Sequence, residues 1–328
     1  MERRWTNLNK EVPVLKLDII IPIYNEQENL HELHRRLSEV CGKLKNDVSW
    51  QVIYVNDGSK DDSLKIMLAQ YREDSRFMIL DLSRNFGHQA AIAAGLAHAD
   101  GDAVIFMDGD LQDPPEVIPD LLTRWKDGAQ IVRAQRRSRK EQGFRRLGFE
   151  VFHRFFKWIS DFPIPPHTGI FGLVDRKAVN QLGRFTEKNR FFPGLRSWIG
   201  FEQDVIYYDR PERAAGKPKQ SFRRLIRYAL DAIFSFSYKP LRIMTGAGIL
   251  VSICGFSLAS LFVIRRLAGI EIAQTGFTTL VTLILFLGGV QLVAIGILGE
   301  YLARIYDEVK KRPLYIVKNR YGMDMQEK

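Results

Sequence analysis

The sequence predicts an α/β fold with a mainly parallel, doubly wound sheet, followed by a helical membrane hairpin. Three observations predict it: short apolar runs alternate with helical patterns, polar clusters follow those runs, and two long apolar runs lie near the C-terminus. We therefore expect a soluble domain over residues 1–220, a juxtamembrane amphipathic helix over 221–240, transmembrane helices over 241–264 and 277–299, and a cytoplasmic tail over 300–328.

Four apolar runs in the soluble part look like strands, and helical patterns lie between them. The strands are predicted at residues 17–23, 52–55, 78–82 and 104–107, and the helices at 27–40, 63–71 and 88–99. Strands that alternate with helices indicate a parallel sheet, because two parallel strands need a long crossover connection between them.

Each C-terminal apolar run exceeds the roughly 20 residues that a helix needs to cross a bilayer. The first run carries one charge, Arg242 at its edge, and the second carries none. Core helices of a soluble protein are the alternative, but such helices rarely run this long without a charge. Basic residues flank the pair of runs on both outer sides, whereas the loop between them offers Arg265 and Arg266. The positive-inside rule therefore predicts an inner-membrane protein whose soluble domain and termini are cytoplasmic.

The segment 221–240 has arginines at its start and apolar residues at helical spacing, which is typical of a helix lying in the headgroup plane. A helix that packs on the soluble domain is the alternative. The net charge of +10 over 328 residues indicates either a role in solubility or an anionic partner: nucleic acid, an anionic membrane face or phosphate-bearing substrates. Two cysteines without metal-ligand spacing, Cys41 and Cys254, exclude a disulfide framework.

Polar clusters follow three of the predicted strands. They are Tyr24, Asn25 and Glu26 in IPIYNE, Asp57 in VNDGS, and Asp108 and Asp110 in VIFMDGDLQDPP. Taken singly, NE and NDGS are also ordinary helix-cap and turn sequences. Together they point to one cleft, because ligands of an open α/β sheet bind at the carboxyl ends of its strands. Two carboxylates one residue apart repel each other, so this pair predicts a bound cation.

Two other sites of this general type are disfavoured. A dinucleotide site needs G-x-G-x-x-G after the first strand, and IPIYNEQENL contains no glycine. A phosphatase of the aspartyl-phosphate type also places D-x-D after an apolar strand, but usually the first strand, with Thr or Val two residues further on. Here the pair follows the fourth strand, and Gln112 lies two residues beyond Asp110.

The ordered set IPIYNE, VNDGS, DGDLQDPP and a late R-x-x-G-x-x-K (Arg213, Gly216, Lys219) resembles the family-two glycosyltransferases with a GT-A fold. Its order and spacing are similar to those of the polyprenyl-phosphate sugar synthases, which include dolichol-phosphate mannose synthase. The two-span hairpin resembles that of the bacterial bactoprenol glucosyltransferases. The resemblance covers nearly the whole chain. It implies a Rossmann-like GT-A domain and an inverting transfer of one sugar, glucose from UDP-glucose, to undecaprenyl or another polyprenyl phosphate.

The resemblance also implies roles for individual residues. Asp108 and Asp110 are the expected catalytic residues and, with Gln112, the ligands of Mg²⁺ or Mn²⁺ at the diphosphate of the donor. The expected nucleotide-binding residues are Pro22, Tyr24, Asn25, Glu26 and Asp57. The expected acceptor- or donor-phosphate residues are Arg136, Arg139, Arg213 and Lys219. The basic stretch 133–146 is alternatively a solvated or lipid-facing patch.

Three positions depart from the family pattern. Ile170 stands where related enzymes often have an acid, which matters less for a phosphate acceptor because that group is already anionic. Pro218 stands where Ser or Thr is common, and Ala215 is small for its position.

Two alternative functions remain. A processive polysaccharide synthase would carry Q-x-x-R-W, whereas LLTRW at residues 121–125 lacks the glutamine. A non-catalytic membrane scaffold is disfavoured by the intact D-x-D. The expected partners are a nucleotide-sugar donor, a polyprenyl phosphate, the membrane and further copies of the chain in a homo-oligomer, with no nucleic acid.

Overall fold

The structure, a computed structural model, describes residues 14–44, 48–137, 168–188, 190–209, 238–268 and 276–323. These residues form two compact units. The first unit holds the described residues up to 209 together with residues 313–323, and the second holds residues 238–268 and 276–312. Most of the predicted juxtamembrane helix, 221–237, lies outside the described residues.

The first unit is an α/β domain whose described residues form an eight-stranded sheet. Its strands are β1 (Leu15–Ile23), β2 (Val48–Asn56), β3 (Phe77–Leu82), β4 (Ala103–Phe106), β5 (Ile131–Arg136), β6 (Thr168–Asp175), β7 (Gln203–Tyr208) and β8 (Val317–Tyr321). Its helices are α1 (Leu30–Gly42), α2 (Ser63–Glu73), α3 (His88–His98), α4 (Ile118–Lys126), α5 (Arg176–Gly183) and α6 (Phe192–Trp198).

The strand order is β7-β5-β6-β4-β1-β2-β3-β8. β1 lies parallel to β2 on one side and to β4 on the other, and β2 lies parallel to β3. This arrangement confirms the predicted mainly parallel α/β sheet, and each of the four predicted strands is present. The parallel strands β1 to β4 all end at the same edge, so the loops that follow them lie together there.

Helices cover both faces of the sheet, which explains why β3 and β4 are buried along their full length. Leu30, Leu33 and Leu37 of α1 fall at helical spacing and join the main core cluster on one face. On the other face α3 is rich in alanine and lies very close to the sheet. A Cβ at Gly95 would be 2.4 Å from Ile20 Cγ2, so only glycine fits this approach.

Two parts of the sheet were not predicted from the sequence. β6 runs antiparallel between β4 and β5, and β5 then pairs in parallel with β7. At the opposite edge, β8 pairs antiparallel with β3. β8 comes from residues that we expected to form a tail, so the chain returns to the sheet of the first unit after its last long helix.

The second unit contains α7 (Lys239–Leu267) and α8 (Phe277–Val309). Both helices are long and apolar enough to cross a membrane, and they contain the predicted spans 241–264 and 277–299. α8 continues past the predicted end of the second span. The glycines of the two helices, among them Gly246, Gly248 and Gly288, face open space within the described part of the chain.

Candidate active site

Two acidic side chains, Asp108 and Asp110, lie just beyond the end of β4. The Asp108 side chain is 37% exposed, and Asp110 is half-buried. Between them and α4 the backbone turns through Leu111, which is buried and has a φ of 61°. A leucine rarely adopts this left-handed conformation, and such residues cluster at ligand sites. The Gln112 N–H donates to Asp110 Oδ1 at 3.1 Å, which fixes the orientation of that carboxylate.

A third carboxylate, Asp113, is buried beneath this turn. Its Oδ2 accepts a hydrogen bond from the Asp108 N–H at 3.1 Å, and its Oδ1 accepts one from the Tyr208 hydroxyl at 2.8 Å. Burial, followed by the negative charge of Asp108, raises the pKa of Asp113 to about 7. Asp113 therefore ties the backbone of the D-x-D segment to β7.

Arg136, the last residue of β5, is exposed and pairs with Tyr208 of β7 in the sheet. Burial raises the pKa of the Tyr208 hydroxyl, and the charge of Arg136 acts on that hydroxyl in the opposite direction. The predicted phosphate-binding residue Arg136 is thus connected to the predicted cation ligand Asp108 through Tyr208 and Asp113. Sequence reasoning missed both connecting residues.

His88, the first residue of α3, is a further member of the site that sequence reasoning missed. Its Nε2 lies 2.9 Å from Asp108 Oδ1, and its side chain is 42% exposed. Burial lowers the pKa of His88, but the hydrogen bond and charge of Asp108 outweigh this effect, so the pKa is raised. The rule that located the other clusters also applies here, because His88 follows β3 at the same edge of the sheet.

The loops after β1 and β2 are held together by side-chain hydrogen bonds. Ser59 Oγ accepts from the Asn25 N–H at 3.1 Å, and Asn25 Oδ1 accepts from the Lys60 N–H at 2.8 Å. The Glu26 N–H donates to Ser63 Oγ at 3.0 Å. Tyr24, 38% exposed, lies on the surface of this pair of loops. Pro22 is buried within β1, opposite Val55 of β2.

Asp57 is buried and is bound by the loop that follows β3. Its Oδ1 accepts from the Phe86 N–H at 2.7 Å, and its Oδ2 accepts from the Gly87 N–H at 3.0 Å. Burial raises the pKa of Asp57 against the effect of these two donors. Each oxygen keeps a second lone pair. A contact between Asp57 and a nucleotide base stays a prediction. What the structure shows is that the Asp57 carboxylate connects the loop after β2 to the loop after β3.

Ile170 is buried near the start of β6, where the pairing with β5 is irregular. The fully buried Arg196 of α6 donates to the Ile170 carbonyl at 2.9 Å and to the Gly169 carbonyl at 2.8 Å. Burial lowers the pKa of Arg196 to about 9. Arg196 therefore supplies donors to carbonyls at the irregular part of β6 and fixes the position of Ile170.

The oxygen atoms offered by the side chains at the end of β4 are suitable ligands for a hard divalent cation. Asp108, Asp110 and the Gln112 side chain offer oxygen atoms, which Mg²⁺ and Mn²⁺ prefer. Within the described residues there is no group of three His, Cys, Asp or Glu side chains arranged around a metal position. Two carboxylates would therefore need further oxygen ligands, such as those of a diphosphate or water. Arg139, Arg213 and Lys219, with Ala215 and Pro218, lie outside the described residues.

Residues 18–183 match the model of the family described as glycosyl transferase family 2. The chain is similar to an uncharacterized glycosyltransferase of Synechocystis sp., with 42% identity over 312 residues that cover 94% of this chain and 97% of the relative. It is similar to the bactoprenol glucosyl transferase of Shigella phage SfII, with 40% identity over 305 residues that cover 93% and 98%. A mannosyltransferase from Pyrobaculum calidifontis, solved with GDP-Man and Mn²⁺, is 16% identical with a TM-score of 0.44, over 85% of this chain and 86% of its own.

We predict that Tyr208→Phe destabilises the protein by about 1–3 kcal/mol, because it removes the hydroxyl donor of the buried Asp113 carboxylate. Thermal unfolding of the purified protein in detergent measures this as a lower melting temperature. Tyr207→Phe is the matched control, since Tyr207 is the preceding residue of β7 and is 60% exposed. Equal melting temperatures for the two variants would contradict the role assigned to Tyr208.

Proposed function

The chain belongs to glycosyltransferase family 2, and we propose that it transfers one glucose from UDP-glucose to undecaprenyl phosphate with inversion at the anomeric carbon. It is a nucleotide-sugar-dependent enzyme. The observation that carries the proposal is the connection from Asp108 to Arg136 through Asp113 and Tyr208. This connection holds two groups at one edge of the sheet: the oxygen atoms that could bind a divalent cation, and the Arg136 guanidinium, which could bind a phosphate.

The loops after β1 and β2 support binding of the nucleotide. Their hydrogen bonds to each other, through Asn25 and Ser59, hold them in place before a ligand arrives. Tyr24 is exposed at their surface, where an aromatic ring offers a stacking face for a base. Asp57 and Glu26 supply carboxylate acceptors for the hydrogen-bond donors of a base and a ribose.

Transfer requires the negative charge of the UDP leaving group to be neutralised. A Mg²⁺ or Mn²⁺ ion held by Asp108, Asp110 and Gln112 would supply that positive charge. The protein's own contribution is to orient the two carboxylates, through the Asp113 bond to the Asp108 backbone and the Gln112 bond to Asp110. The hydrogen bond between His88 and Asp108 is a third contact that orients these carboxylates.

The reaction we propose is a single displacement. An oxygen of the lipid phosphate forms a bond to C1 of glucose, while the bond between C1 and the diphosphate oxygen of UDP breaks, which inverts the configuration at C1. The lipid phosphate is already anionic near neutral pH, so the step needs no strong general base. The buried, apolar Ile170 is compatible with this chemistry, because related enzymes often have an acid at that position.

The phosphate of the acceptor is proposed to bind to arginine and lysine side chains. Arg136 is exposed at the end of β5, and its guanidinium group can bind two oxygens of one phosphate. Arg139, Arg213 and Lys219 stay predicted partners of the same phosphate. A lipid acceptor also agrees with the bactoprenol named in several relatives.

The membrane arrangement of the proposal is a hairpin with both ends in the cytoplasm. α7 and α8 are long and apolar enough to cross a membrane. The chain forms β1 to β7 before these helices and β8 of the same sheet after them. A folded sheet lies on one side of a membrane, so the chain must cross an even number of times between β7 and β8. Homo-oligomer formation stays a prediction.

We predict that Asp110→Asn lowers transfer of glucose from radiolabelled UDP-glucose to undecaprenyl phosphate by at least about a hundredfold, because the cation loses an anionic ligand. Excess chelator should abolish transfer by the wild-type enzyme, and added Mg²⁺ or Mn²⁺ should restore it. Asp120→Asn, an exposed carboxylate of α4, is the control and should retain activity. Full activity of Asp110→Asn would exclude the metal assignment.

We predict that Arg136→Ala raises the KM for a short-chain polyprenyl phosphate in neutral detergent by about ten- to a hundredfold, the size expected for one charge-assisted contact. Affinity for UDP should change little. Arg137→Ala is the matched control, because the neighbouring Arg137 forms an exposed ion pair with Asp209. If the two variants lose acceptor affinity equally, the effect is general attraction to anionic groups and not a specific phosphate contact.

We predict that a reporter fused after residue 328 is cytoplasmic and that a tag placed between α7 and α8, in residues 268–276, lies on the opposite side of the membrane. Paired reporters that are active on opposite sides of the membrane measure this in whole cells. A loop tag that reports the same side as the C-terminus would show that α7 and α8 do not cross the membrane.

A further inference from the structure

The edge strand β8 is made of residues that follow α8, yet it borders the part of the sheet that leads to the proposed donor loops. Asp81 of β3 pairs with Asn319 of β8, and Leu80 pairs with Arg320. Just beyond β3, the Ser83 N–H donates to the Ile316 carbonyl at 2.9 Å. The end of β3, where the next loop starts, is therefore bound to the C-terminal segment through main-chain hydrogen bonds.

A line of side-chain hydrogen bonds runs from β8 across β3 to β2. Asn319 Nδ2 donates to Asp81 Oδ2 at 3.3 Å, and Asn56 Nδ2 donates to Asp81 Oδ1 at 2.7 Å. The Asn56 Oδ1 atom accepts from the Ser59 N–H at 3.2 Å. Asp81 is 3% exposed, so its carboxylate depends on protein donors. Because a carboxylate only accepts, it turns the NH₂ of Asn56 towards itself and the Asn56 oxygen towards Ser59.

The main chain provides a second route to the same loop. The residues after β3 supply both N–H donors to the Asp57 carboxylate, from Phe86 and Gly87. They also lie directly against Gly58, whose φ is 65° and where a Cβ would be 2.5 Å from the Arg84 carbonyl carbon. The loop Asp57–Ser59 is thus set by two groups of contacts, and each of them is connected to β8.

We propose that β8, through Asn319, positions the loop Asp57–Ser59 for the nucleotide of the donor. Asn319 is a positioning residue: it acts through Asp81 and Asn56 on Ser59, whose hydroxyl accepts from Asn25 of the first donor loop. This inference rests on the proposed function, because it takes these two loops as the UDP site. It assigns a part in donor binding to a residue beyond the stretch 18–183 that matches the family model.

The test is the affinity of full-length protein in detergent for UDP with Mn²⁺, measured by calorimetry, together with steady-state kinetics. Asn319→Ala should weaken UDP binding by about three- to tenfold, which is the net contribution of one ordinary hydrogen bond. The KM for UDP-glucose should rise by the same factor, while kcat and the KM for a short polyprenyl phosphate stay unchanged. Asn319→Gln, which keeps the amide donor, should recover most of the affinity.

Two exposed neighbours on β8 provide matched controls, Lys318→Ala and Arg320→Ala. Both keep the main-chain pairing with β3 and should bind UDP as the wild type does. A double-mutant cycle then tests the route: in an Asn56→Ala background, Asn319→Ala should cause no further loss of UDP affinity. Losses that add in the double variant would overturn the route through Asn56.

The outcomes separate this inference from the proposed function. If the wild-type protein neither binds UDP nor transfers glucose, the proposed function is wrong and the inference falls with it. If the wild type does both and Asn319→Ala binds UDP equally well, the inference alone is overturned. It is also overturned if UDP affinity in Asn319→Ala, Lys318→Ala and Arg320→Ala falls in step with the melting temperature, because that pattern indicates general loss of stability.

Discussion

The buried carboxyl group of Asp113 is the group on which the geometry of the candidate active site depends. A carboxylate removed from water must be satisfied by donors, and here the donors are the Asp108 N–H and the Tyr208 hydroxyl. One donor belongs to the loop after β4, and the other belongs to β7. A single acceptor therefore fixes the loop after β4, for which we propose a bound cation, relative to β7 and to its neighbour β5, which carries Arg136. An error of position in either part would leave a buried polar group unsatisfied.

The loops proposed to bind the nucleotide-sugar donor are positioned differently, by hydrogen bonds to each other. Ser59 and Ser63 have the sequence context of turn and helix-start residues, yet their hydroxyls accept from the Asn25 and Glu26 N–H groups of another loop. The turn interpretation and the ligand interpretation of NDGS are therefore compatible. Residues that satisfy the backbone of a neighbouring loop also hold it in the conformation that a ligand requires.

The parts of the fold that could be predicted from the sequence are those that leave a pattern in a short stretch of neighbouring residues. β1 to β4 are covered on both faces, so they appear as continuous apolar runs, and Asp108 and Asp110 stand out by their spacing. β8 has the sequence VKNRY, is largely exposed and pairs through its main chain, so it carries no hydrophobic pattern. Asp113 and Tyr208 are 95 residues apart, and a contact of that separation leaves no trace in either local sequence. His88 could have been predicted, because it follows a strand end like the others.

Because β8 follows α8 in the chain, the order of synthesis also matters. The ribosome makes β8 after α8, so β3 presents an unpaired edge for as long as the two long helices are being made. Open strand edges invite pairing with other chains. The eight-stranded sheet is therefore completed only after both long helices have been made. A chain arrested before residue 317 would carry the whole D-x-D segment on a domain whose sheet edge is still open to aggregation.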